Sequence, residues 1–274
     1  MTASDDCMVT YSHNFEDVML RRVFADVKFG FYVDVGAGWP TKTSNTFDLY
    51  KKGWRGIIVE PLLGLLPEYE RAWKEHRPDD ILVKGSAGRA IGAVDFYMCN
   101  QRNMSTGSGD TVAYWKKQGG NFGEPTLVPM QTLRLILNDR LLAASVVAQN
   151  VAPLQFHLLC IDVEGMEWDV ISGCDLEHFR PWLMLIEATK PGSYESNCEH
   201  WEPHVLQHGY SCVYEDGANR WYLAHEHADL HEKFRYPPCC WDNFISWREV
   251  ELGERVKELE RERRKPLTWA SSND

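Results

Sequence analysis

Along most of the chain, short apolar runs alternate with longer stretches whose apolar positions recur every three or four residues. Five short runs are rich in β-branched and aromatic residues and read as strands: "GFYVDVG" (30–36), "RGIIVE" (55–60), "DILVKG" (80–85), "FHLLCID" (156–162) and "WLMLIEA" (182–188). Between the first two, "SNTFDLYKKG" is predicted as a helix capped by Ser44, apolar through Phe47 and Tyr50, and stopped by Gly53. Between the third and fourth come "GAVDFYM", a Gly-rich stretch, and "QTLRLILNDRLLAASVVAQN", a helix expected to end near Pro153. Strands alternating with helices imply a parallel sheet with right-handed crossovers. The opening "YSHNFEDVML" reads as an amphipathic helix that docks on this sheet through Tyr11, Phe15 and Val18 to Leu20.

The rhythm changes near the end. "GYSCVYEDGANRWYLAHE" places two strand-like runs around a turn at Asp216-Gly217, the pattern of an antiparallel hairpin. The expected fold is therefore α/β: a doubly wound, mostly parallel, Rossmann-like sheet ending in an antiparallel hairpin, which is the class I methyltransferase outline. The expected organisation is an N-terminal helical segment (1–28), a core domain (29–246) with an insertion or lid at about 98–128, and a charged C-terminal helix and tail (247–274). In that last segment Leu252, Val256 and Leu259 stand at helical spacing; the expected reading is a solvated helix, and three apolar positions are too few to claim the sharper one, a short coiled-coil seam for a second copy or a partner, or a linker.

Composition narrows the classes. With 274 residues, 44% of them hydrophobic, the chain can bury one sizeable core. Its net charge of −11 disfavours nucleic acid as a partner. No run approaches a membrane span, and the start lacks the basic and apolar regions of a signal peptide, so a cytoplasmic protein is expected. The eight cysteines are scattered and fit free thiols better than disulfides.

The first strand runs straight into Gly36-Ala37-Gly38, and Glu60 closes the second. Glycine lets backbone approach a ligand and adopt positive φ. The phosphate-binding alternatives fit poorly: G-x-x-x-x-G-K-[ST] is absent, and the third glycine of a dinucleotide fingerprint would fall on position 41, which is Thr. A carboxylate at Asp34, just before the turn, suits a ligand with a cationic part. S-adenosyl-L-methionine has a sulfonium, an ammonium and no phosphate. Glu60 and the adjacent Pro61 then lie where ribose hydroxyls would be held, and Ser86 and Ala87, in "KGSAG" (84–88), where adenine would be received. The predicted cofactor residues are Asp34, Gly36, Ala37, Gly38, Ser44, Glu60, Pro61, Ser86, Ala87 and Asp162.

"YSHNFEDVML", "GFYVDVGAGWP", "GWRGIIVEP", "CIDVEGMEWDVISG", "RPWLMLIEAT" and "EHWEPHVLQHGYSCVYEDGANRWYLA" occur in the order seen in the FkbM family of S-adenosylmethionine-dependent methyltransferases, which the chain resembles over roughly residues 11–245. The resemblance implies methylation of hydroxyl oxygens, on polyketides or on the sugars of glycans and glycolipids. This sequence is most similar to the glycan-locus branch through its opening and its "EDGANR" turn. It departs from the family at Thr43-Ser44, where Asp-Ser is common after the glycine turn.

A sugar hydroxyl is a poor nucleophile and needs a base or a Lewis acid. Three acids end strands on one edge: Asp162, Glu164 and Glu187. Asp162, in the position matching the family's "D-x-E-G", is expected near the sulfonium and acceptor, with Glu164 or Glu187 as base; Glu164 could instead serve the N-terminus of the next helix. Asp162 and Glu187 could also hold Mg²⁺ or another divalent cation. For a carbohydrate or glycolipid acceptor, the expected contacts are Asn103, Ser105, Thr106, Tyr114 and Trp115 in the insertion, and His200 in "HWEP". The stretch carrying His225, His227, His231, Cys239 and Cys240 offers zinc-ligand types at spacings that fit no standard site. The rival readings are the same transfer to a polyketide or lipid hydroxyl, a nicotinamide-dependent oxidoreductase, and a non-catalytic cofactor-binding module in a glycan-assembly complex.

Overall fold

The structure is a computed structural model that describes residues 7–147, 155–190 and 192–263. Its strands are β1 (Met8–Thr10), β2 (Phe31–Val35), β3 (Arg55–Val59), β4 (Ile81–Val83), β5 (Ser86–Ala87), β6 (Gly92–Phe96), β7 (Thr126–Gln131), β8 (Leu158–Ile161), β9 (Leu183–Glu187), β10 (Tyr210–Glu215), β11 (Asn219–Ala224) and β12 (Phe244–Ser246). Its helices are α1 (Glu16–Val23), α2 (Phe47–Lys51), α3 (Leu62–Leu65), α4 (Pro67–His76), α5 (Gly109–Lys117), α6 (Leu133–Val147), α7 (Glu167–Ser172), α8 (Glu202–Gln207) and α9 (Trp247–Arg263). The end of α6 expected near Pro153, and the tail beyond Arg263, lie outside the described residues.

Among the described residues the architecture is mixed α/β with three sheets. The largest has the order β10-β11-β9-β8-β2-β3-β4. Strands β9, β8, β2, β3 and β4 run parallel, and β11 pairs antiparallel with both β9 and β10. All five residues of β2 are buried, as a central parallel strand covered on both faces requires. Its alternation divides the core. Val33 and Val35 pack with Leu159, Ile161, Ile136, Val170 and Met184. Tyr32 packs on the opposite face with Leu20, Trp54, Ile58, Trp73 and Cys160. Both hydrophobic layers form from one period-2 pattern.

Two smaller sheets flank this core. β5, β7 and β6 form one, whose Phe96 and Val128 pack on Leu62 and Tyr69. β1 pairs with β12, so the N-terminal segment, expected to be helical, also supplies a strand that ties it to the start of α9. The segment at about 98–128, expected as an insertion or lid, forms a small structured unit. Its Cys99, Met104, Val112 and Phe122 form their own apolar cluster beneath α5.

Candidate active site

The parallel strands of the main sheet deliver their carboxyl ends to one edge, and a cavity opens there between β2, β3, β8 and the insertion. It is lined by Gly36, Ala37, Gly38, Thr43, Glu60, Pro61, Leu62 and Ser86 on one side, and by Asp162, Val163, Glu164 and Met166 on another. Phe96, Arg102, Asn103, Ser105 and Gly107 close it from the side sheet and insertion, and His13 from the N-terminal segment. A crevice beyond the carboxyl ends, where strand order reverses around β2, is where open α/β sheets bind ligands.

The two glycines have different jobs. Gly36 has φ +80°, and a Cβ there would overlap the carbonyl oxygen of Asp162. It allows the ends of β2 and β8 to lie together, and its N–H donates to Val59 C=O at 2.9 Å. Gly38 has φ +61°, but a Cβ there would meet nothing within 4 Å. Its side faces open space at the cavity wall. The Gly38 N–H donates to Glu60 Oε2 at 2.8 Å and the Leu62 N–H to Glu60 Oε1 at 2.9 Å. Burial, opposed by these bonds and reinforced by the charge of Asp34, pushes Glu60 up to about 7. Each carboxylate oxygen keeps a second lone pair, so this acid can still accept from a ligand.

Three predicted cofactor residues, Asp34, Ser44 and Ala87, lie elsewhere. Asp34 is buried and accepts from Thr46 Oγ1 at 2.7 Å; it does not line the cavity. Strand alternation is the reason, because Asp34 shares a face with Tyr32 and points beneath the glycine turn. Ser44 neither lines the cavity nor caps α2, which begins at Phe47. Its hydroxyl accepts instead from Arg77 Nη1 at 3.2 Å. Arg77 is completely buried and also donates to Pro40 C=O (3.4 Å), Thr46 Oγ1 (3.0 Å), Tyr32 Oη (2.6 Å) and Asp80 (2.7 Å). This one guanidinium ties the glycine turn to β2 and the end of α4. Trp73 Nε1 adds a bond to Gly38 C=O at 3.0 Å. Ala87 is buried on the core side, while its neighbour Ser86 reaches the cavity.

The acids at the ends of β8 and β9 converge. Asp162, Glu164 and Glu187 each offer an oxygen within 4.8 Å of the other two. Glu167, at the start of α7, is a buried fourth member; its Oε1 accepts from Gly165 N at 2.9 Å. Asp162 opens to the cavity but is otherwise walled in by protein. Desolvation, then the charges of Glu167 and Glu16, push it up to about 7. Desolvation followed by the charge of Asp162 raises Glu164 and Glu187 well above the ordinary carboxylate range, and desolvation raises Glu167. Among the described residues, none of the four takes part in an ion pair with Lys, Arg or His. Glu164 also has φ +54°, an uncommon backbone state for a non-glycine residue. Thr106 Oγ1 holds its carbonyl at 2.8 Å.

Buried polar atoms without partners include one oxygen of this cluster. Glu187 Oε2, Asn197 Oδ1 and Trp115 Nε1 are buried with no hydrogen-bond partner among the described residues. The Trp115 indole N–H is close enough to Glu164 to oppose the rise of its pKa. Asn197 N donates to Ala188 C=O at 3.0 Å, beside Glu187. Buried polar groups left unpaired are rare.

Of the predicted acceptor residues, Asn103 and Ser105 line the cavity. Thr106 is buried, spent on Glu164 C=O and on accepting from Ser108 N at 2.8 Å. Trp115 packs on the insertion's apolar cluster and Tyr114 stands edge-on to it at 5.7 Å; neither lines the cavity. His200 is exposed and also lies outside the cavity lining. Sequence reasoning missed His13, Arg102, Asn197 and Glu167. Only Glu167 left a readable sign, three residues after Glu164 within "DVEGME". In the Cys/His-rich stretch, His227 stacks on Trp182 at 4.0 Å and His225 pairs with Ser211 at 3.0 Å.

A search of curated proteins and a search of solved structures each returned no match. The family model described as Methyltransferase FkbM domain matches residues 34–212, a span running from Asp34 in β2 to Cys212 in β10 and including the glycine turn, Glu60 and all four clustered acids. That span exceeds half of the 274 residues, and the chain belongs to the FkbM methyltransferase domain family.

Proposed function

We propose that the protein transfers a methyl group from S-adenosyl-L-methionine to a hydroxyl of a sugar in a glycan or glycolipid. Family membership supports methyl transfer. The strand order β10-β11-β9-β8-β2-β3-β4, with only β11 reversed, supports a class I methyltransferase fold. The observation that carries the sugar acceptor is the polar lining of the cavity beside Asp162 and Glu164, where Asn103, Ser105 and Arg102 reach in from the insertion and His13 from the N-terminal segment. These hydrogen-bonding side chains suit a polyol better than the apolar surface of a lipid or polyketide, which would leave them desolvated and unmatched.

The residues divide the work. Gly36, Ala37 and Gly38 admit the cofactor close to backbone, Glu60 accepts its ribose hydroxyls, and Pro61 and Ser86 border the adenine. When bound, the cofactor supplies an electrophilic methyl on a sulfonium. Asp162 faces that positive charge from the end of β8, and Glu164 or Glu187 takes the acceptor proton. Their raised pKa values match a general base better than an ordinary carboxylate would. Asn103 and Ser105 contact the acceptor from the insertion.

A divalent cation such as Mg²⁺ is a second reading of the same acids. Asp162, Glu164 and Glu187 fit it by donor type and convergence, and Glu187 Oε2 is an orphaned oxygen such an ion would satisfy. It would lower the pKa of a bound sugar hydroxyl.

The test is incubation with methyl-labelled S-adenosylmethionine and fractionated glycans and glycolipids, with and without EDTA. Label in a carbohydrate fraction, lost in Asp162→Ala, is the expected result. Label only in an apolar product would overturn the sugar assignment. Cofactor binding with no transfer would favour a non-catalytic module. Loss of activity in EDTA, restored by Mg²⁺ or Mn²⁺ in the wild type but not in Glu187→Gln, is the outcome the cation reading requires.

A further inference from the structure

Helix α9 leaves the body and keeps going. Every residue from Glu251 to Arg263 is exposed. Its start is firmly held: Ser246 Oγ accepts from Glu249 N at 3.2 Å and Glu249 Oε2 accepts from Ser246 N at 2.7 Å, a reciprocal capping box. Lys42 stands over the Trp247 ring at 4.8 Å and pairs with Glu251. Beyond that anchor nothing in the described residues covers the helix. Helical segments of about a dozen residues are marginal in water without tertiary packing.

The uncovered part is not uniformly polar. Leu252, Val256 and Leu259, spaced by four and then three residues, are 66%, 54% and 48% exposed and form one stripe. A 4-3 spacing is the seam of a two-helix pair. Charge is unevenly distributed along it. Residues 252–257 carry two basic side chains (Arg255, Lys257) and one acidic one (Glu254), a net of 2 − 1 = +1. Residues 258–263 carry two basic (Arg261, Arg263) and three acidic ones (Glu258, Glu260, Glu262), a net of 2 − 3 = −1. A parallel pair would set each half against its own sign, and an antiparallel pair sets opposite halves together.

We propose that α9 is a self-association element that packs antiparallel against α9 of a second copy of this chain. Val256 of one helix layers against Leu259 of the partner subunit. In that register Arg255, just outside the seam, falls beside Glu262 of the partner subunit, twice by symmetry. Three apolar side chains from each copy make a small interface, so the dissociation constant is on the order of 10–100 µM.

Sedimentation equilibrium of the full chain tests this between about 1 and 300 µM, a range bracketing that constant. The weight-average mass should climb from 31.6 kDa toward twice that value. The variant L252E/V256E/L259E changes only exposed positions; it should keep its melting temperature and stay at 31.6 kDa throughout. R255E should weaken association about tenfold, and R255E/E262R should restore it to within about threefold, as a matched interhelical ion pair predicts. A mass that stays monomeric at every concentration overturns the proposal and leaves the stripe to a different chain. Association that survives the triple variant overturns the seam. Failure of the double reversal to restore R255E overturns the antiparallel register.

Discussion

Gly36 and Gly38 sit two residues apart, both at positive φ, and alanine at each should fail in a different way. At Gly36 the left-handed backbone costs an L-residue about 1–2 kcal/mol. The larger problem is the Asp162 carbonyl oxygen, which occupies the space a Cβ needs. That atom belongs to backbone and cannot rotate aside. The turn must separate from β8, which endangers Asp162 N donating to Val35 C=O at 3.0 Å and Gly36 N donating to Val59 C=O at 2.9 Å. At about 1 kcal/mol for each bond, Gly36→Ala should cost roughly 3–4 kcal/mol. At about 2–4 °C per kcal/mol, melting should fall by roughly 6–16 °C.

Gly38→Ala meets no atom within 4 Å and keeps the N–H that holds Glu60, so its cost is only the backbone penalty, about 1 kcal/mol. Its methyl, however, projects from the cavity wall where the cofactor is proposed to lie. The assay is thermal denaturation of both variants beside titration with S-adenosylhomocysteine. Gly36→Ala should show the large melting change. Gly38→Ala should melt within about 4 °C of wild type, as a 1 kcal/mol cost implies, and bind the ligand at least tenfold more weakly. A Gly36→Ala protein as stable as wild type would refute the steric argument. Wild-type affinity in Gly38→Ala would refute the placement of the ligand.

Two further outcomes follow from buried charges. Glu16 is buried, bonded to Asn219 Nδ2 at 3.0 Å, and pushed up to about 7 by burial and then by Asp216. Because the folded state holds this proton more tightly, its contribution is full below the unfolded value near 4.5 and is lost as pH rises through about 7. Urea denaturation between pH 5 and 8 should show stability declining with pH, and Glu16→Gln should remove up to about 3 kcal/mol of that decline; an unchanged slope counts against it. Arg77→Met leaves Asp80 buried without its cation and frees Ser44 and Thr46, so it should cost about 3–5 kcal/mol in the same assay, whereas replacement of the exposed pair Arg255 and Glu258 should cost under about 1 kcal/mol.

How far the sequence could be read depended on how far the physics is local. The strands of the main sheet were legible because both faces of a central parallel strand are covered, and an uninterrupted apolar run such as Phe31–Val35 has no other comfortable place. The places of Gly36, Glu60 and Asp162 on the cavity wall were legible because residues that end a strand at the carboxyl edge reach that edge within one or two positions. Asp34 was misplaced although the means to place it were present: it is separated from Tyr32 by two, and period-2 alternation sends both to the face away from Val33 and Val35. Ser44 was misplaced for a nonlocal reason, since the competitor for its hydroxyl is Arg77, 33 residues on.

The same distinction accounts for what went unread in the site. His13 and Arg102 reach the cavity from segments that no spacing connects to the glycine turn, and the three-stranded sheet that carries the insertion pairs β5 with β7 across some forty residues. The acid cluster lies between these extremes. Asp162, Glu164 and Glu167 are neighbours in sequence, but their chemistry comes from Glu187 on β9, which closes the group and supplies the buried oxygen without a partner. An acid alone at a strand end would be an ordinary carboxylate. Four brought together with no paired cation among the described residues must share protons or hold an ion, and that property belongs to the fold rather than to any one motif.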